Sequence, residues 1–265
     1  MIYTKRSLGQ NFLKDLNIIK KITNITKIVN KDVVEIGPGE GALTNEIIKN
    51  NPKSLTLIEK DESLFKKLKL KYSNDSKIKI YNKDILKFDL DKKLKANTII
   101  FGNLPYNISS QILVKMIRLK KNPVKYLALI FMFQKELAER IIGKFGTPKY
   151  GRLSILSNYK LNILYKFNVS SNCFLPKPKV DSTIVYFKPH NLNNYKIQNI
   201  ENLEKITNVL FSNRRKMINK SFSKLFKDPE NLSRKLNINL SLRPNQLNEN
   251  DFYRIAEYYE KYKKI

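Results

Sequence analysis

Apolar positions along the first 190 residues alternate between short β-branched runs and stripes with helical spacing, so strands and helices are expected to alternate. From Asp15, the spacing of Leu16, Ile19, Ile22 and Ile25 predicts an amphipathic helix. Residues 32–40 (DVVEIGPGE) read as an apolar strand running into Gly37, Gly39 and Gly41, followed by a helix that buries Leu43, Ile47 and Ile48. A strand over 54–58 ends in Glu59, a Lys-rich helix covers 62–72, and a strand over 77–82 ends at Lys83-Asp84-Ile85. Residues 97–101 form a fourth strand that is expected to stop at Gly102. A helix (109–119), a strand (125–133), a helix (134–142) and a Gly/Pro loop (143–151) follow. A helix and then a strand share 152–169, and a proline-punctuated loop from Phe174 leads into a strand ending at Pro189.

Beyond an Asn-rich linker at 190–196 the pattern changes. Strand signals disappear, and Leu203, Ile206, Val209 and Leu210 mark helical faces. The expectation is therefore an α/β, Rossmann-like domain over 1–189 with a small C-terminal all-α domain over 190–265.

Composition adds a partner class. The 265 residues carry 51 Lys and Arg against 23 Asp and Glu, a net charge of +28, and the part after residue 190 is itself basic. Such an excess fits a polyanion, either nucleic acid or an acidic membrane surface. Part of it also fits a general Lys, Ile and Asn bias. Only nine of the basic residues are arginines, and Arg140, Arg152, Arg214 and Arg215 are among them, as planar bidentate contacts require. A single Cys (Cys173) and a single His (His190) exclude a Cys/His zinc site and a disulfide framework. No apolar run is long enough to span a bilayer, and residues 1–8 are too short and polar for a signal peptide, so a cytoplasmic protein is expected.

The chemistry collects at predicted strand ends, where open α/β sheets bind ligands. Glycines at a strand-to-helix turn let a ligand approach the backbone and expose helix-start N–H groups. Glu59 can accept hydrogen bonds from two ribose hydroxyls, and Asp84 with Ile85 can bond and pack an adenine ring. These features suit NAD and S-adenosylmethionine equally. Asn103, Leu104, Pro105 and Tyr106 narrow the choice. A side-chain amide, backbone carbonyls held by a rigid proline, and a ring together suit the exocyclic amino group of a flipped-out adenine. Tyr106 offers one stacking face, and Phe174 in the proline loop is the candidate for the second. Arg214, Arg215 and Lys216, expected on a helix after Phe211, are candidate phosphate contacts.

Nine segments carry a resemblance: GQNFL, EIGPGEGALT, the strand-end Glu59, Lys83-Asp84, GNLPYNIS, QKE, YGRLS, FLPKPKVDS and FSNRRK. In this order, over residues 9–216, the chain resembles the small-subunit ribosomal RNA adenine N6,N6-dimethyltransferases, the group that includes the kasugamycin-resistance dimethylase. The resemblance implies S-adenosyl-L-methionine held by Asn11, Leu13, Gly37, Glu59, Asp84 and Asn103, with no metal. It also implies dimethylation of two adjacent adenosines near the 3′ end of 16S rRNA, by a monomer acting on a ribosomal subunit or its assembly intermediate, with no membrane partner. One departure stands at Lys220-Ser221-Phe222, where the family usually has Asn before Ser-Leu. Three rival readings remain: an NAD-dependent oxidoreductase, a DNA adenine methyltransferase, and a binding protein with vestigial catalysis. The first leaves the Asn103–Tyr106 segment and the charge unexplained.

Overall fold

The computed structural model describes residues 11–119, 125–190 and 194–262. Contacts divide the chain into two compact units, the described parts of Met1–Ala138 with Asn162–Pro189, and of Glu139–Leu161 with His190–Ile265. The segment 139–161 therefore groups with the C-terminal residues, although its position in the chain put it with the first domain. It groups there because Tyr150 and Ile155 bury their side chains among helices of the second unit.

In chain order the elements are β1 (Phe12–Leu13), α1 (Leu16–Thr23), β2 (Asp32–Ile36), α2 (Ala42–Lys49), β3 (Ser54–Glu59), α3 (Glu62–Lys71), β4 (Ile78–Asn82), α4 (Leu90–Lys93), β5 (Thr98–Asn103), α5 (Ser109–Ile117), β6 (Tyr126–Gln134), α6 (Lys135–Ile141), α7 (Arg152–Lys160), β7 (Leu161–Val169), β8 (Phe174–Leu175), β9 (Ser182–Pro189), α8 (Ile200–Phe211), α9 (Asn219–Ser223), α10 (Pro229–Leu236) and α11 (Glu249–Tyr262). Side chains mark several starts. Asp15 accepts from the N–H groups of Asn17 and Ile18 to begin α1, and Asp61 accepts from Ser63 and Leu64 to begin α3. Two expectations shift. Leu16 is exposed while Ile19 and Ile22 carry the buried face of α1. Strand β5 does not stop at Gly102 but continues to Asn103, because Gly102 and Asn103 still pair with Phe131 and Met132 of β6.

The first unit holds a seven-stranded sheet in the order β4-β3-β2-β5-β6-β9-β7. Strands β4 to β6 of that order run parallel and β9 is antiparallel to β6. Exposure follows position: β5 and β6 are apolar and almost wholly buried, while β4 at the edge is half-buried except at the exposed Lys79. From β2 the chain winds outward through β3 to β4, then returns to the other side of β2 as β5. The order reverses between β2 and β5, where a doubly wound sheet opens a crevice at its carboxyl edge. A separate two-stranded ribbon pairs β1 with β8, Phe12 opposite Leu175 and Leu13 opposite Phe174.

The second unit is helical, with α8 packed against α11 and α7. Its polar groups are tied inward: Tyr150 Oη donates to the Leu247 carbonyl and Tyr253 Oη to that of Ile155, both at 3.0 Å. The Phe211 and Phe252 rings stack with centroids 5.5 Å apart.

The turn after β5 depends on a missing side chain. A Cβ on Gly102 would lie 2.4 Å from Cδ2 of Leu104, which is itself buried against the sheet. Gly102→Ala is expected to force Leu104 out of its seat and lower stability by about 1–3 kcal/mol, as overpacking does. Urea denaturation of the variant checks this, and a midpoint equal to the parent's would show that the turn relaxes freely.

Candidate active site

One cavity opens at the carboxyl edge of the parallel strands, and the register of β2 and β5 explains where. Ile36 pairs with Gly102, so Gly37 and Asn103 emerge side by side at the reversal point. Asn11, Leu13, Gly37, Glu59, Asp84, Asn103, Leu104, Pro105 and Tyr106 all line this cavity. Gly37, Gly39 and Gly41 have φ of +67°, +59° and +81°, a backbone that L side chains rarely adopt. The turn also has no room: a Cβ on Gly39 would sit 2.9 Å from the Phe12 ring. Gly41 precedes α2 without a side-chain cap.

Four tethers draw the cavity walls together. Asn103 Nδ2 donates to the Asn11 carbonyl at 3.0 Å, which leaves Oδ1 as the amide's acceptor. Glu59 accepts from the N–H of Gly39 (3.1 Å) and of Asp61 (2.8 Å), one on each carboxylate oxygen. Asp84 pairs with Lys60 at 2.8 Å and accepts from the N–H of Leu86 at 2.9 Å. Lys14 pairs with Glu40 beside the glycine turn.

Residues 1–261 match the family model described as ribosomal RNA adenine dimethylase. The chain belongs to this family. It is 44% identical over 259 residues to the ribosomal RNA small subunit methyltransferase A of Pelagibacter ubique, covering 98% of each chain. It is 39% identical over 261 residues to the protein of the same name from Mycoplasma mobile, covering 96% of this chain and 97% of that one. Among solved structures, a dimethyladenosine transferase from Plasmodium falciparum superposes with a TM-score of 0.75 at 26% identity, covering 94% of this chain and 98% of that one. The 23S rRNA methyltransferase ErmE shares the fold with a TM-score of 0.67 at 23% identity, covering 94% and 99% of the two chains.

This dimethylase-family cavity differs in charge from the protein around it. Glu35, Glu40, Glu59 and Asp84 line it against Lys60 and Lys83. Burial pushes the Glu59 carboxyl above its ordinary value despite two backbone N–H donors. Asp84 is held below the carboxylate range, its slight burial outweighed by hydrogen bonds and the charge of Lys60. Among the described residues no group of three or more His, Cys, Asp or Glu lies together as a metal site, and no helix is long and apolar enough to cross a membrane.

Two expected roles meet a different placement. Phe174 is not among the residues lining the cavity: its side chain is buried, in β8 paired with β1, in the same core cluster as Leu13 and Ile22, which do line it. Arg214 and Arg215 lie in a turn after α8, which ends at Phe211, and not on a helix. There all three side chains are exposed, and Arg214 Nη2 also donates to the carbonyls of Pro148 (2.7 Å) and Tyr150 (3.1 Å). One of the three basic side chains thus fastens the 143–151 loop. Arg214→Ala is expected to lower stability by about 1–2 kcal/mol through the lost charged hydrogen bonds, and Arg215→Ala by no more than about 0.5 kcal/mol. Chemical denaturation of the two variants separates them, and equal effects would deny the clamp.

Sequence reasoning missed Glu35 as a separate actor, although it stands inside the glycine motif. Burial pushes its carboxyl from 4.5 up to about 8, with the nearby Glu59 adding to the rise and the Thr44 hydroxyl, donating at 2.6 Å, opposing it. The folded chain therefore holds this proton more tightly than the unfolded one. The resulting stabilisation is complete below about pH 4.5 and is lost as pH rises through about 8. Glu35→Gln is expected to flatten that decline, as measured by denaturation midpoints across the interval. Parallel pH profiles for parent and variant would show that Glu35 is ionised in the fold.

Proposed function

We propose that the chain transfers methyl groups from S-adenosyl-L-methionine to the N6 atoms of two adjacent adenosines near the 3′ end of 16S rRNA, giving dimethyladenosine. The observation that carries this reading is the side-by-side emergence of Gly37 and Asn103 in one cavity, in a chain of the ribosomal RNA adenine dimethylase family. The names of the relatives support the small ribosomal subunit as the substrate and the dimethyl product. The acceptor RNA would be reached in a subunit or its assembly intermediate, by a monomer in the cytoplasm.

The cavity fits a cationic nucleoside in two respects. The left-handed glycine turn puts bare backbone at the cavity wall just before α2, and carboxylates outnumber lysines on the walls. In this reading Asn11, Leu13, Gly37, Glu59, Asp84 and Asn103 hold the donor: Glu59 takes the ribose hydroxyls and Asp84 the adenine edge. When bound, the donor supplies a methyl carbon made electrophilic by its sulfonium.

The remaining difficulty is the nucleophile, because the N6 lone pair of adenine is delocalised into its ring. The Oδ1 of Asn103 and the carbonyl of Leu104 each accept an N6 hydrogen, so that nitrogen can pyramidalise toward the methyl. The same acceptors stabilise positive charge growing on N6, and they are already in place before reaction. Pro105 stiffens the turn that presents them. Tyr106 offers its face to the extruded base, recovering about 1–3 kcal/mol of the lost stacking. Each transfer leaves N6 positively charged until it releases one proton to solvent; after the first it keeps one hydrogen, so one acceptor still orients it for the second.

In this scheme the first unit performs the chemistry and the second contributes RNA contacts, Arg214, Arg215 and Lys216 to phosphates, with Arg214 also holding the loop beside them.

Mass spectrometry of the 3′ region of small-subunit rRNA, incubated with protein and donor, tests the whole reading. Dimethyladenosine at two neighbouring positions is expected, and unmodified RNA or a monomethyl end point with excess donor would refute it. Asn103→Ala should slow single-turnover methylation by about 10²–10³-fold, the scale seen when one preorganised polar partner is removed, with RNA affinity unchanged. Arg215→Ala with Lys216→Ala should do the reverse, reducing the log–log salt slope of RNA binding by about 1.4–1.8. An unchanged slope would move the RNA path elsewhere on the basic surface. Glu59→Ala should weaken donor binding by about 1.5–3 kcal/mol, as read by titration calorimetry with chelator present.

A further inference from the structure

We propose that Ser182 is a positioning residue for the reaction: its hydroxyl fixes the tilt of the Tyr106 ring, and so the plane in which the target base is held against Asn103. The proposal deepens the functional reading above and rests on it.

Tyr106 Oη and Ser182 Oγ lie 2.7 Å apart and share a hydrogen bond. The two ends of this bond differ in kind. Tyr106 is half-buried and its side chain lines the cavity with Asn103 and Pro105. Ser182 is wholly buried, does not line the cavity, and cannot touch a base placed there. Its influence must pass through the tyrosine.

The buried end is rigid. Ser182 opens β9 directly opposite Gln134 of β6, which brings the antiparallel strand to the same sheet edge as Asn103. Its neighbour Asp181 is fixed twice, its carbonyl accepting the Lys135 N–H at 3.0 Å and its carboxylate the Ser171 N–H at 2.9 Å. The cavity end is otherwise free to turn. Tyr106 follows the chain out of β5, and two side-chain torsions separate its ring from the backbone. A bond at the far tip of the ring stops both torsions at once. Whichever oxygen donates, the bond commits the phenol end of the ring to β9, so the ring presents a face to the base. This gives a reason for tyrosine at 106, where phenylalanine would supply the same stacking area without the tether.

The test is a double-variant cycle on Ser182→Ala and Tyr106→Phe, read by single-turnover methylation at saturating RNA and donor, with donor affinity by calorimetry. Each single variant is expected to lose about 5–10-fold in rate, the equivalent of one hydrogen bond, with donor affinity within twofold of the parent. The double variant should be no slower than the slower single, and Ser182→Thr should restore the rate. Tyr106→Phe cuts the same bond from the open side, so the cycle does not depend on Ser182→Ala alone. Labelled-tyrosine NMR reads the ring directly: one defined Tyr106 ring signal is expected in the parent and in Ser182→Thr, and an averaged one in Ser182→Ala. Multiplying losses in the double variant, a parent rate in Ser182→Ala, or an unchanged ring signal would overturn the proposal. A parent that methylates no rRNA adenine would instead defeat the functional reading, and the ring signal would still decide whether Ser182 sets the tyrosine.

Discussion

The parallel pairing of β2 with β5 is the contact on which the site depends. Two strands distant in sequence lie side by side only because the chain reverses its winding between them, and their register sets Ile36 against Gly102. That one alignment delivers the glycine turn and Asn103 to a single crevice. Shifting the register by one residue would carry Ile99 and Phe101 to the opposite face of the sheet, so the core that holds them also holds the active-site geometry. The tethers above the sheet, from Asn103 to Asn11 and from Glu59 to Gly39, fasten loops to a position the sheet has already chosen.

The second organising feature is a separation of charge. In a chain of net charge +28, the cavity is lined by Glu40, Glu59 and Asp84 against Lys60 and Lys83, with Glu35 holding its proton up to about pH 8. The exterior suits a polyanion at long range, while the cavity suits a small cation over a few ångströms. Glu35 and Glu59 bear the cost of that arrangement, because burial raises both carboxyls and their charges oppose each other. Hydrogen bonds from Thr44, Gly39 and Asp61 offset part of it.

Positioning recurs one layer behind the groups that face the cavity. Ser182 stands behind Tyr106, Gly102 makes room beneath Leu104, and Arg214 fastens the loop flanking its exposed neighbours. Each makes its positioning contact within the protein. Arg214 is instructive, because an exposed guanidinium beside two other basic residues also ties the carbonyls of Pro148 and Tyr150 through its Nη2.

Sequence by itself determined the alternation of elements and the residues at their ends. Strand and helix periods differ, glycines with left-handed backbones cannot be disguised, and Asn103 to Tyr106 stand at the end of an apolar run that has few other readings. It also determined the basic character and the family. The tertiary structure alone decided what those residues touch. Phe174 looked free in a proline loop, yet its side chain is buried in the core, in β8 paired with β1. Residues 139–161 follow the first unit in the chain and pack in the second, because burial of Tyr150 and Ile155 outweighs adjacency in sequence. The raised carboxyl of Glu35 and the bond between Tyr106 and Ser182 depend on groups from different segments of the chain. No local pattern encodes them, since desolvation and long-range hydrogen bonds come into being only when separate segments close around the same space.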